Sequence, residues 1–175
     1  MAVIVTHGHT DHAGGAAILR QGTGATVYAG EGEKAMLSSG RNDRLCPTDA
    51  RAGKNLEEHQ SSTYTGFEAD VWISAPTSLE ASTGIDAHLV PLPGHTQGSL
   101  VMVAGEWAFV GDLFRGAIVG SSAETHFYMC DLEDNVADIE WLLARYPRVN
   151  TFFTGHFGPV SRDSVVALLE ERSAR

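Results

Sequence analysis

The chain has 175 residues, 43% hydrophobic and 19% charged, an ordinary globular mix and enough for one domain (1–175) with its own core. Its 22 acidic and 12 basic residues give a net charge of -10, which argues against nucleic acid as a partner, since phosphate binding needs clustered lysine and arginine. No apolar run reaches the length of a membrane span. Residues 2–5 are too short for a signal-peptide core, so a cytoplasmic location is expected. Cys46 and Cys130 stand far apart without CxxC spacing, which predicts reduced cysteines rather than a disulfide framework.

The elements alternate between strand and helix. Residues 2–6 form a β-branched run that reads as a buried strand. Residues 13–21 read as a helix, with Thr10 or Asp11 as N-cap and Gly22 just past its end. A strand at 26–29 and a helix at 31–37 follow. Residues 38–66 are polar and weakly periodic, a long loop or partly helical excursion of the kind that forms lids or substrate walls. Strands are expected at 70–74, 87–92, 99–104 and 107–111, the last two joined by a tight turn at Gly105-Glu106. Residues 134–145 make the clearest helix, with Val136, Ile139, Leu142 and Leu143 on one face. A strand at 149–154 and a helix at 161–172, capped by Ser161, close a layered α/β chain.

Between the first strand and helix stands His7-Gly8-His9-Thr10-Asp11-His12. With 8 histidines in the chain, an H-x-H-x-D-H match arises by chance roughly once in a thousand such sequences. Residues two apart at a strand end point to the same side, so His7 and His9 can face one metal. The turn into the helix lets Asp11 and His12 reach a second position. Imidazole with carboxylate suits Zn²⁺, with Fe or Mn as alternatives. Gly14-Gly15 leaves room for close backbone approach. Three more ligand-type residues follow, each beside a glycine at the end of an expected strand: His95 in PLPGHTQGS, Asp112 in FVGDLFRG and His156 in FFTGHFGP. Strand ends converging on one edge are where α/β folds place their sites. His59 and His88 read as surface or strand residues. His126 and Tyr128 follow the Asp112 loop and are candidates to line a pocket, and Cys130 reads as a small buried residue.

From Val3 to the C-terminus this set resembles the metallo-β-lactamase superfamily, in the hydrolase branch typified by glyoxalase II. The resemblance implies an αββα sandwich, N-terminally truncated relative to the family. It also implies that His7, His9 and His95 hold one metal, Asp11, His12 and His156 a second, and that Asp112 bridges both. The activity implied is a di-zinc hydrolase that attacks an ester, thioester, lactone or related bond of a small-molecule substrate with a metal-bound hydroxide, Asp11 orienting it or passing on its proton. The alternatives are an enzyme like the persulfide dioxygenases, with one iron on His7, His9 and His95, and a non-catalytic metal-binding chain.

The departures from the family shape further expectations. Strands that precede the histidine motif in the family are missing here. A homodimer is therefore expected to cover the first sheet, unless the excursion at 38–66 does so. β-Lactamases of the commonest class carry cysteine where Asp112 stands, which argues against antibiotic hydrolysis. The short stretch after His156 leaves no room for a glyoxalase II substrate domain, so a glutathione thioester is not expected.

Overall fold

The computed structural model describes residues 1–174. Strands β1 (Ala2–Val5), β2 (Thr26–Gly30) and β3 (Val71–Ile73) form a parallel three-stranded sheet in that order. The second sheet has six strands in the order β11-β10-β7-β6-β5-β4. These are β4 (Thr77–Ser78), β5 (His88–Pro91), β6 (Leu100–Ala104), β7 (Trp107–Gly111), β10 (Thr151–Thr154) and β11 (Val160–Ser161). Neighbours in it are antiparallel except β7 and β10. A small hairpin, β8 (Arg115–Gly116) and β9 (Ala123–Glu124), stands apart.

Strand alternation builds the layers. In β1, Val3 and Val5 pack toward α1 (Thr10–Ala13), α2 (Ala16–Thr23) and α3 (Lys34–Ser39), alongside Ala13, Ala16 and Leu37. Ala2 and Ile4 turn the other way and meet Leu89, Leu100 and Met102 of the second sheet. In β6 the order repeats, with Val101 and Val103 facing α6 (Leu132–Arg145) and α7 (Arg162–Ser173) through Ile139, Leu142, Val165 and Leu168. A period of two therefore sorts each strand between two cores. The result is helices, sheet, sheet, helices: the expected αββα sandwich. Ser161 caps α7 by accepting the Ser164 N–H, and Asp131 caps α6 by accepting that of Asp134. Each cap contributes about 1 kcal/mol.

Several expectations are corrected. The helix at 13–21 is two helices broken at Gly14-Gly15. His9 takes the N-cap position of α1 without a side-chain cap bond, and Gly22 lies inside α2, which ends at the left-handed Gly24. A Cβ at Gly14 would stand 2.6 Å from the Thr10 carbonyl oxygen, whereas Gly15 faces open space, so only one of the pair permits close approach. The excursion at 38–66 is partly helical, as expected, and contains α4 (Ala50–Ser61), started by Asp49 accepting the Ala52 N–H. Cys46 and Cys130 are not reduced: they form a disulfide, and Cys130 is exposed. The 45–48 and 126–130 segments run side by side, with a bridge between Pro47 and Tyr128 and the Met129 N–H donated to the Cys46 carbonyl. A pairing across 84 residues leaves no local pattern in the sequence.

Candidate metal centre

The C-terminal ends of β1, β5, β7 and β10 deliver one group each to a common edge. His7 follows β1, His95 follows β5, Asp112 follows β7 and His156 follows β10, while His9, Asp11 and His12 sit on the turn into α1. The Leu100 N–H donates to the Thr6 carbonyl at 2.7 Å and joins the two sheets beside this edge. All seven sequence candidates thus converge.

Asp112 is the centre of the cluster. Its Oδ2 has the Nε2 atoms of His12 at 3.2 Å, His156 at 3.5 Å, His7 at 3.6 Å and His95 at 3.8 Å. A fifth imidazole, His126, is closer still at 3.1 Å and is buried. The sequence left His126 as a pocket candidate; the structure puts it among the donors.

Four groupings bring ligand atoms within 4.8 Å of one another and could hold a metal ion: His7, His9 and His95; His7, His12 and Asp112; Asp11, His12 and His156; His95, Asp112 and His126. His7 Nε2, Asp112 Oδ1 and His126 Nε2 are buried there without a hydrogen-bond partner. Burying such atoms unpaired costs about 1–3 kcal/mol each. Nitrogen and carboxylate donors packed this way fit a borderline transition metal, which would satisfy them together.

Charge follows the packing. Burial pushes His7 and His95 well below the usual histidine range, reinforced by neighbouring imidazoles and opposed by Asp112. Both are therefore neutral, the form that binds metal. Burial works to raise the Asp112 carboxyl, but the imidazoles of His126, His12 and His156 packed around it hold it well below the carboxylate range. Asp11 shows the same contest: burial raises it, while the His156 hydrogen bond and His12 outweigh that and hold it at about 2. His156 Nε2 lies 3.2 Å from Asp11 Oδ2, and this bond, with Asp112, raises the imidazole to about 10.

Surrounding groups fix the donors. His9 presents Nδ1 to His95 Nε2 at 3.2 Å while its Nε2 is held by Asp43 Oδ1 at 2.9 Å, a carboxylate–histidine support. Asn42 accepts from the Thr10 N–H and hydroxyl. Tyr64 donates its hydroxyl to the Gly8 carbonyl. Gly155 is obligatory beside the cluster, since a Cβ there would run into Asp112 Oδ1 and His12.

Glu33 is the support that the sequence reading missed. It is fully buried and accepts the Gly8 N–H at 2.6 Å on Oε2, with the Gly98 N–H at 2.6 Å and the Thr96 hydroxyl at 2.7 Å on Oε1. One carboxylate thus ties the His7–His9 turn to the His95 loop. Burial raises its pKa, opposed by these three bonds. Glu33→Gln sets an amide N–H₂ against a backbone N–H and should cost about 2–4 kcal/mol. Urea unfolding and metal titration should both register the change; unaltered stability and affinity would remove Glu33 from this role.

A cavity of about 320 Å³ opens on the cluster, lined by residues that include Asp11, Asp112, His126 and His156. The excursion supplies one wall through Asn42, Leu45, His59 and Ser62, as expected of residues 38–66. His59 is exposed, as the sequence indicated, yet its ring stands edge-on to Tyr128 on this wall. His88 is exposed on β5. A larger cleft of about 630 Å³, between α6, α7 and β9, contains none of the candidate donors.

The model of the metallo-beta-lactamase superfamily matches residues 1–156. The chain belongs to the metallo-β-lactamase superfamily. It is 30% identical over 142 residues to the hydroxyacylglutathione hydrolase GloC of Haemophilus influenzae, covering 78% of this chain and 59% of that protein's length. Among solved structures it resembles an archaeal superfamily protein from Sulfolobus tokodaii, with a TM-score of 0.67 at 17% identity, over 97% of this chain and 66% of that one. It also resembles a metallo-beta-lactamase from Pontibacter korlensis (0.65, 20%, 97% and 68%) and TTHA1623 in a di-iron-bound form (0.64, 19%, 95% and 75%). These likenesses are of fold. Among the described residues, no helix is long and apolar enough to cross a membrane.

Proposed function

We propose that residues 1–175 form a single domain that is a metal-dependent hydrolase of a small ester, thioester, lactone or related substrate. The convergence of five imidazoles on the one buried Asp112 oxygen carries this reading. His7, His9 and His95 would hold one ion, Asp11, His12 and His156 a second, with Asp112 between them and His126 beside the pair. Zinc is the proposed metal, and the di-iron neighbour keeps iron within the proposal. Bound there, the ions supply Lewis acidity for the substrate carbonyl and lower the pKa of water.

The chain's own groups do the rest. Asp112 holds the donors together as a fixed anion in a buried site. Asp11, at the solvent edge with its side chain 58% exposed, can accept a hydrogen bond from attacking water and so orient it. Asp43 orients His9, and the cavity wall positions the substrate. The test is hydrolysis of a panel of esters, thioesters and lactones before and after chelation. Turnover should vanish with the metal and return on adding Zn²⁺; turnover indifferent to chelation would refute the proposal.

The proposal includes a homodimer. Among the described residues β1 pairs with β2 alone. Phe109 and Phe153 stack at 4.8 Å, half-buried, on the face of the second sheet opposite its helix-packed core, and Trp107 on the same face is 56% exposed. Apolar rings beside an unpaired edge favour association. Light scattering at micromolar concentration should give twice the chain mass, and a folded monomer would reject the dimer.

A further inference from the structure

The cavity beside the cluster also selects among substrates. Leu45, Phe127, Tyr128 and Phe157 form its apolar wall, and among the described residues no lysine or arginine lines it. Its amide and hydroxyl groups are already engaged. Asn42 accepts from Thr10 and donates Nδ2 to the His59 carbonyl, Ser62 donates to the Glu58 carbonyl, and Tyr128 donates to that of Ala52. Arg115 lies 4.1 Å from the centre of the Phe127 ring, but its guanidinium is paired with Glu124 and the Gly116 carbonyl. Asp11, whose side chain is 58% exposed, adds a carboxylate to the lining.

Phe157 adds a second argument. Its φ of 59° lies in the left-handed region, which is strained for a bulky side chain. The backbone beneath is fixed by Gly116, where any Cβ would strike the Phe157 carbonyl oxygen. The fold thus holds an aromatic ring, 49% exposed, at the cavity in a conformation that costs energy. An apolar group packed on that ring removes its exposed surface from water.

Resting on the hydrolytic reading above, we infer that the substrate is neutral and apolar beyond the scissile bond: an alkyl or aryl acyl ester, thioester or lactone. An acyl tail with a carboxylate would lose its hydration against these rings, where, among the described residues, the lining offers no lysine or arginine to pair with it.

The test uses the metal-loaded protein and two p-nitrophenyl esters of similar size and identical leaving group, the butyrate and the monosuccinate. The butyrate should have at least about a tenfold higher kcat/KM. Equal or reversed values overturn the inference. Phe157→Arg, at an exposed position, should shift the ratio severalfold toward the succinate, and an unmoved ratio counts against the wall as selector. If neither ester is hydrolysed by protein holding its metal, the ester part of the hydrolytic reading fails. The pocket's preference is then read separately by calorimetry with two unreactive ketones, 4-phenyl-2-butanone and levulinate. Tighter binding of the phenyl ketone supports the neutral, apolar preference, and tighter binding of levulinate overturns it.

Discussion

Asp112→Ala is expected to abolish hydrolysis and weaken metal uptake by more than about 100-fold, since even groups that only orient metal ligands cost 10–100-fold when removed. The reason is local. Five imidazole nitrogens approach one Asp112 oxygen within 3.8 Å, and no other carboxylate stands at their centre. Without it, the site loses the carboxylate that the imidazoles surround and the group between the two ligand sets. His126→Ala should lower uptake by roughly 10–100-fold, less than Asp112→Ala, because His126 belongs to only one of the four ligand groupings. His88→Ala, at an exposed position on β5, should leave activity and metal unchanged. Isothermal titration of the metal-free variants with Zn²⁺ measures all three. Equal losses in His88→Ala and Asp112→Ala would show that the cluster is not special.

Removal of the Cys46–Cys130 bond should produce the largest loss of stability. A cross-link spanning 84 residues restricts the unfolded chain by up to about 4–5 kcal/mol on the chain-entropy model, with about 2–4 kcal/mol typical. For a chain of this size, that lowers the melting temperature by roughly 5–15 °C. The bond also clamps the site, because it joins the segment bearing Asp43 and Leu45 to that bearing His126 and Tyr128. Cys46→Ala/Cys130→Ala should therefore lose activity as well as stability. Thermal unfolding with and without dithiothreitol, compared with the double variant, checks both effects. Identical melting in all three samples would contradict a cross-link in the native protein.

The histidine motif was legible because its four donors are adjacent in the chain, so spacing alone signals a shared purpose. His95, Asp112 and His156 were legible for another reason: each follows a β-branched or aromatic strand and a glycine, which marks a strand end turning toward an edge. The layers could be anticipated from alternation in β1, β2 and β6, where neighbours enter different cores. Two-residue strands such as β4, β8 and β9 are too short to carry a period and escaped notice. Glu33 escaped because Glu31-Gly32-Glu33-Lys34 reads as surface; only the fold brings Gly8, Thr96 and Gly98 around its carboxylate. His126 has no motif around it, and its role follows from the hairpin that returns it to Asp112. The disulfide was misread because a partner 84 residues away has no local signature.

The central claim is that these donors form a two-metal centre, and counting metal tests it most directly. Protein purified without chelator should contain close to two transition-metal ions per chain by elemental analysis, or take up two Zn²⁺ when titrated after chelation. Absence of metal with no uptake of Zn²⁺ would contradict the account, and so would a single iron per chain that excludes a second ion.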